Sequence, residues 1–258
     1  VNDAFSASHR NHSSITGITN YLPSYAGLSF INEINNLEKF IYNAKKPNLA
    51  IIGGSKISTK INVLNNLIEL FNTVVIGGAM ANTFLLSNNF NIGTSLVEKE
   101  FVDVCKKIQK KAKLKKCKIL LPVDVVCSKD IKNNNDIIKT SVEKVYKEHM
   151  ILDIGEKSIK LILDEVKKSR SILWNGPLGA FEYKPFDLST KKIAISIKNF
   201  SKTYQIDSLA GGGDTLSAIK NANAEDGFNY LSNAGGAFLE WLEGNKSPGV
   251  IALEKNNI

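Results

Sequence analysis

No Gly-Lys dipeptide occurs anywhere in this sequence, which excludes a Walker-type phosphate loop. The dinucleotide fingerprint G-x-G-x-x-G is missing too, because Gly211 and Gly213 are followed by Leu216 where a third glycine would stand. No apolar run approaches the ~18–20 residues of a membrane-spanning helix. Cysteine is scarce: Cys105, Cys117 and Cys127 form no C-x-x-C pair, and any disulfide scheme leaves one of them over. That favours a reducing compartment, and we expect a cytoplasmic protein. Histidine is scarce as well. His9 and His12 stand three apart, but no cysteine or carboxylate joins them as a metal ligand. No Ser-His-Asp or Cys-His arrangement offers itself for acyl chemistry.

Apolar residues are plentiful, at 43% of 258 positions, enough for one large domain or a domain with appendages. The net charge is +8, and much of it lies in residues 106–116, K-K-I-Q-K-K-A-K-L-K-K. A nucleic-acid patch is one reading of that run. The other is the solvated face of an amphipathic helix, because Phe101, Val104, Cys105 and Ile108 recur at helical spacing and no aromatics interleave with the lysines. We expect no nucleic-acid and no membrane partner.

Along the chain, Leu28, Ile31, Ile34, Leu37, Phe40 and Ile41 predict a helix that ends before Pro47. The opening V-N-D-A-F reads as the middle of a strand and its exit, so the chain is expected to be a fragment of a longer protein. Short apolar runs then recur, each closed by a turn. They are Leu49–Ile52 (Gly53-Gly54), Thr73–Ile76 (Gly77-Gly78), Ile119–Leu121 (Pro122), Ser171–Trp174 (Asn175-Gly176-Pro177), Ser208–Ala210 (Gly211-Gly212-Gly213) and Tyr230–Ser232 (Ala234-Gly235-Gly236). Helical stripes lie between them, as at Ile57, Ile61, Leu64, Ile68 and Phe71. Strands alternating with helices predict an α/β fold, a three-layer α/β/α parallel sheet of Rossmann-like kind. Residues 128–150, with Asn133-Asn134-Asn135 in the middle, read as a surface excursion. In a parallel sheet the glycine turns share the edge where ligands bind, and their number suggests backbone approaching a ligand from several directions.

G-G-S-K-I-S-T-K-I, residues 53–61, sets Lys56 and Lys60 at the predicted start of a helix. A cation there opposes the helix dipole by about 0.3–1 kcal/mol. An anion held between the lysines would remove the conflict; two solvated surface lysines are the alternative. Asp214 and Thr215 in G-G-G-D-T are either ordinary helix caps or a Mg²⁺ ligand and a phosphate contact. W-N-G-P-L-G-A-F-E ends in Glu182, a ribose carboxylate or a solvated glutamate. Gly235 and Gly236 open a helix and serve either phosphate approach or close packing. Arg10 lies in S-A-S-H-R-N-H-S-S, either an anion cluster or a plain loop.

Taken in order, V-N-D-A-F-x-x-x-H-R-x-H, G-G-S-K-I-S-T-K-I, V-I-G-G-A-M-A-N-T-F-L, I-L-D-I-G, I-L-W-N-G-P-L-G-A-F-E, A-G-G-G-D-T and G-G-A-F-L-E-W-L-E-G resemble the phosphoglycerate kinase family over the whole chain. Ala79, Ala234 and Ser6 depart from glycines common there, and the family's early D-x-N and H-x-x-R motifs are missing. The resemblance implies residues 1–24 as the tail of an N-terminal substrate domain, 25–45 as an interdomain helix, 46–245 as the C-terminal nucleotide-binding domain and 246–258 as a return segment. It implies reversible phosphoryl transfer between 1,3-bisphosphoglycerate with MgADP and 3-phosphoglycerate with MgATP, in glycolysis, by a monomer. ATP/ADP and Mg²⁺ are the implied cofactors, and the N-terminal domain the implied partner. Lys60 and Lys56 would neutralise phosphoryl charge, with Gly235 and Gly236 facing the transferred group. Gly77, Gly78, Asn175, Pro177, Glu182, Gly212, Gly213, Asp214 and Thr215 would bind the nucleotide, Asp214 toward the metal, and Arg10 with His9 the 3-phosphoglycerate. A nucleotide-binding module without catalysis is the alternative. A dinucleotide-dependent oxidoreductase is disfavoured by the missing fingerprint.

Overall fold

The computed structural model describes residues 1–132 and 136–255. In chain order it begins with α1 (Leu28–Leu37), β1 (Asn48–Ile52), α2 (Ile61–Leu70), β2 (Thr73–Ile76), α3 (Met80–Ser87) and α4 (Val102–Leu114). Next come β3 (Lys118–Leu120), β4 (Asp124–Ser128), β5 (Ile138–Ser141), β6 (Met150–Ile154) and α5 (Glu156–Lys168). The chain continues through β7 (Ser171–Asn175), α6 (Leu188–Tyr204), β8 (Asp207–Gly211), α7 (Gly213–Asn221), β9 (Tyr230–Ser232), α8 (Gly236–Leu242) and α9 (Pro248–Glu254).

The six apolar runs pair as one parallel sheet in the order β3-β2-β1-β7-β8-β9. Every residue of β1, β2 and β7 is buried, as expected for strands covered on both faces. The pleat divides β1 between two cores. Ala50 and Ile52 join Phe30, Leu64, Phe84 and Phe238 on one side, and Leu49 and Ile51 join Ile162, Trp174 and Ile197 on the other. The result is the three-layer α/β/α arrangement. Strand order reverses between β1 and β7, and at such a switch point the connections leave in opposite directions and open a crevice.

Three expectations need correcting. Asn2 makes only an isolated bridge with Ala26, and a 3₁₀ turn follows at Phe5–Ala7, so the opening residues are not a strand. Residues 128–150 are more than a surface excursion, although Asn133, Asn134 and Asn135 lie outside the described residues. They contribute to an antiparallel sheet, β5-β4-β6, with its own small core of Val125, Cys127, Val142 and Val145 against Leu85 and Ile92. Third, α2 begins at Ile61, so Lys56 lies outside the helix and Lys60 is the residue just before it. The cause is Glu98, which accepts the Ser58 N–H (3.0 Å) and hydroxyl (2.6 Å) and holds the preceding residues in a loop.

The lysine run falls on α4, where Lys111 and Lys115 reach Glu69 of α2 at 3.1 and 2.6 Å. The cysteines are free and buried, and burial pushes the thiols of Cys105, Cys117 and Cys127 up to about 12, 11 and 12. No helix among the described residues is long and apolar enough to cross a membrane.

α5 takes its cap from another element. Its N-cap residue, Gly155, has no side chain to offer. Asp124 of β4 accepts from the Lys157 N–H (3.0 Å), the Ser158 N–H (2.7 Å) and the Ser158 hydroxyl (2.6 Å). Asp124→Ala leaves those donors unmet and should lower stability by about 1–3 kcal/mol. Equilibrium urea unfolding should show the drop as a lower midpoint at unchanged slope.

Candidate functional site

The strand exits are stitched to one another before any ligand is considered. The Gly53 N–H donates to Asn175 O, Gly77 N–H to Ile52 O, Gly78 N–H to Leu178 O, and Met80 N–H to Gly54 O, at 2.9–3.0 Å. Asn175, the last residue of β7, is 3% exposed. Its Nδ2 donates to Gly211 O at 2.7 Å, and its Oδ1 accepts from Lys60 Nζ. The buried Thr215 hydroxyl accepts the Gly176 N–H at 2.7 Å. Thr215 therefore fastens two turns together and caps nothing; the N-cap of α7 is Gly212, at φ +98°.

This stitching revises the reading of the glycines, which fall into two groups. A Cβ on Gly53 would lie 1.9 Å from Pro177 O, and one on Gly176 2.2 Å from Gly53 O. One on Gly77 would meet Leu178 Cδ2 at 2.2 Å, one on Gly78 Gly54 O at 2.5 Å, and one on Gly212 Asn175 Nδ2 at 2.7 Å. These positions are small because turn packs on turn. A Cβ on Gly54, Gly213 or Gly235 would meet nothing within 4 Å, so each leaves open the side where a side chain would stand. Only the second group fits the expectation that backbone is bared toward a ligand.

Lys60 is half-buried and Lys56 exposed. Desolvation lowers the Lys60 ammonium from 10.5 to about 8, partly offset by the charges of Glu243 and Asp214. A cation held out of water, with a single neutral acceptor from Asn175, is poised to gain from an incoming anion. The charge of Lys56 is felt at Glu98. Burial opposes the charge of Glu98, but the bonds from Ser58 and the Lys56 charge outweigh it and hold that carboxyl below its usual range.

Beside this cluster lies a cavity of about 380 Å³. Its walls are mostly apolar, from Leu85 and Leu96 on one side, Met150, Ile151 and Leu152 on another, and the 177–183 turn. Gly78, Pro177, Glu182 and Asp214 border it, whereas Gly77, Asn175, Gly212, Gly213, Thr215 and both lysines do not. Glu182 and Asp214 are exposed at its rim. An apolar slot with a few polar groups at its mouth suits a flat heterocycle whose polar tail runs toward Lys60.

On a further side, a Cβ on Gly236 would lie 2.9 Å from His9 Nε2, which places His9 against the start of α8. His9 Nδ1 is buried without a hydrogen-bond partner, and Arg10 is exposed. No group of three potential metal ligands exists among the described residues, which leaves His9 and His12 without a third donor. Asp214 stands exposed in the first turn of α7 with its charge felt at Lys60, and such a carboxylate fits a hard cation held by one protein oxygen together with phosphates and water.

Sequence reasoning missed several contributors. Glu98 sits 40 residues from the loop it holds, a distance no motif spans. Glu33 of α1 is buried and accepts from the hydroxyls of Tyr230 and Ser232, just before the Gly235-Gly236 turn. Met150 and Ile151 belong to β6, whose antiparallel partner strands went unread.

A family model described as phosphoglycerate kinase matches residues 1–245. The chain is 45% identical over 254 residues to a phosphoglycerate kinase of Caulobacter vibrioides and 47% identical over 253 residues to one of Bartonella bacilliformis. Those alignments cover 98% of this chain and 64% and 63% of the relatives, so the chain spans less than two thirds of their length. The solved phosphoglycerate kinase of Coxiella burnetii superposes with a TM-score of 0.93 at 35% identity, covering 98% of this chain and 64% of that one. That of Pyrococcus horikoshii gives 0.83 at 26%, covering 99% and 63%.

The two kinds of glycine should separate in a stability measurement. Gly53→Ala forces a Cβ into Pro177 O and should cost about 3 kcal/mol or more. Gly213→Ala should be neutral or stabilising by about 0.4–1 kcal/mol, because its helical backbone has room for a methyl group. Urea melts of both variants read the contrast directly.

Proposed function

The chain belongs to the phosphoglycerate kinase family, and from that premise we propose that it carries the nucleotide half of a reversible phosphoryl transfer. The reaction moves a phosphoryl group between 1,3-bisphosphoglycerate and MgADP, giving 3-phosphoglycerate and MgATP. In this reading residues 46–245 are the nucleotide-binding domain, 25–45 the helix between domains, 1–24 the tail of a substrate domain and 246–258 a return segment. The observation that carries the proposal is the desolvated Lys60 ammonium, held on Asn175 beside the open backbone of Gly213 and the free carboxylate of Asp214.

The nucleobase lies in the apolar slot past Gly78 and Pro177, and Glu182 at the rim takes the sugar hydroxyls. The phosphates run along the start of α7, where Gly213 bares its backbone. Asp214 would hold Mg²⁺, which when bound would supply charge neutralisation to the phosphates. Lys60 neutralises the equatorial oxygens of the phosphoryl group in flight, and Lys56 adds charge from the loop. Gly235 presents open backbone to the same group, and Gly236, against which His9 packs, opens α8 beside it. His9, packed on Gly236, and Arg10 bring the 3-phosphoglycerate side toward it. The accepting oxygen is a carboxylate that carries no proton near neutral pH, so no general base is needed.

Alignment for transfer calls for a second domain closing over the site and excluding water. Tyr21 (85% exposed), Leu22, Tyr25 and Leu28 (85%) are large apolar side chains left exposed before and on α1, available for packing by an N-terminal domain. A second reading, a module that binds nucleotide without catalysis, draws on the chain's share of its relatives' length. We place this chain between the two: a competent nucleotide site that turns over poorly by itself, in a cytoplasmic glycolytic enzyme.

Calorimetry with MgADP should show one site per chain, and a coupled assay should show turnover far below that of full-length relatives. A phosphate beside Lys60 favours its charged form and raises its pKa from about 8 toward 10.5. Around pH 9 binding should therefore take up close to one proton, and affinity should weaken by up to about tenfold per pH unit above the free-site value. Well below that value Lys60 is charged in both states and contributes no uptake. Repeating the titration in buffers of different ionisation enthalpy measures the proton; uptake that is absent in the wild type, or persists in Lys60→Met, removes Lys60 from the phosphate site.

A further inference from the structure

Asp153 borders the cavity yet has no part in the transfer described above. It lies near the end of β6 and is 2% exposed. Its carboxylate accepts the Ile154 N–H at 2.9 Å, the Ser189 N–H at 3.1 Å and the Ser189 hydroxyl. Ser189 is in the first turn of α6, and the N-cap of that helix, Asp187, makes no capping bond of its own. A strand on the far side of the cavity therefore satisfies a helix N–H that would otherwise be orphaned.

The segment between the cavity and α6 is held to β6 at both ends. At its start, the Ala180 N–H donates to Leu152 O at 2.8 Å, and a Cβ on Gly179 would lie 2.2 Å from Asp153 Oδ1. At its far end is the Ser189 pair. Glu182 rides in between, exposed at the rim. Burial pushes the Asp153 carboxyl up to about 7, with Asp187 adding to the push, while the donors from Ser189 and Ile154 pull the other way. A carboxylate kept in so costly a place is matched to three converging donors, which an amide cannot serve. Its NH₂ would confront one of the N–H groups.

We propose that Asp153 is a positioning residue for nucleotide binding: it clamps the 179–189 segment against β6 and so sets the place of the Glu182 carboxylate toward the sugar. This rests on the reading of Glu182 as the ribose contact. A purely structural anchor would alter stability without distinguishing ligands that carry a sugar from those that lack one, and without coupling to Glu182.

The test is calorimetric titration of wild type, Asp153→Asn, Glu182→Gln and the double variant with MgADP, and with magnesium pyrophosphate, which has no sugar. Asp153→Asn should weaken MgADP about tenfold, the scale of one charged hydrogen-bonded contact, and leave pyrophosphate unchanged. Added to Glu182→Gln, it should cost less than about twofold more. Should Asp153→Asn fail to fold, Ser189→Ala removes one donor and should show the same dependence on the sugar at about threefold. Unchanged MgADP affinity, an equal loss on pyrophosphate, or full additivity with Glu182→Gln each overturns the inference. A wild type that binds no MgADP overturns the nucleotide reading itself, and this inference with it.

Discussion

The side-chain amide of Asn175 is the constraint on which the site depends. It terminates β7, donates to the exit of β8 at Gly211, and accepts from the lysine that follows the exit of β1. Three neighbouring strand ends are thus fixed by one buried group with both of its polar atoms engaged. Because the acceptor that holds Lys60 is neutral, Glu243 and Asp214 offset only part of its burial, and the desolvation that lowers its pKa is also what an anion can relieve. Thr215, buried beneath the same turn, accepts the Gly176 N–H on its hydroxyl and ties the β7 exit to α7.

Around that amide the glycines divide the labour. Gly53, Gly77 and Gly176 let neighbouring turns interlock, and Gly54, Gly213 and Gly235 leave the surface bare. The tight group fixes neighbouring turns against one another, and an anion reaching the bared backbone would meet amide groups already in position. The apolar slot is built separately, largely from α3, the antiparallel sheet and the 177–183 turn, so the slot and the Lys60 cluster are surfaces of different origin.

The parallel sheet was largely legible because its signal is local. Each run from Leu49–Ile52 to Tyr230–Ser232 is apolar and closed by glycine or proline, and each became a strand to within a residue or so. The antiparallel sheet was not legible: its strands alternate weakly, and the core of Val125, Cys127 and Val142 exists only once α3 covers it. The start of α2 was misjudged because Glu98, a distant residue, holds Ser58 in a loop. Motif order pointed to Lys60, Asn175 and Asp214 as one neighbourhood. What sequence could not supply was which glycine serves packing and which serves openness, since the clash at Gly53 comes from Pro177, more than a hundred residues away.

The strand order carries a consequence for how the chain is born. Lys60 and Asn175 are 115 residues apart in sequence, although β1 and β7 lie side by side. On the ribosome, β1, α2 and β2 emerge long before their neighbour, and the cluster of Lys60, Asn175 and Asp214 does not exist until α7 has cleared the exit tunnel. Ligand can therefore give no help to the nascent half-sheet, whose unpaired β1 edge waits for partners and is the natural client surface for a chaperone.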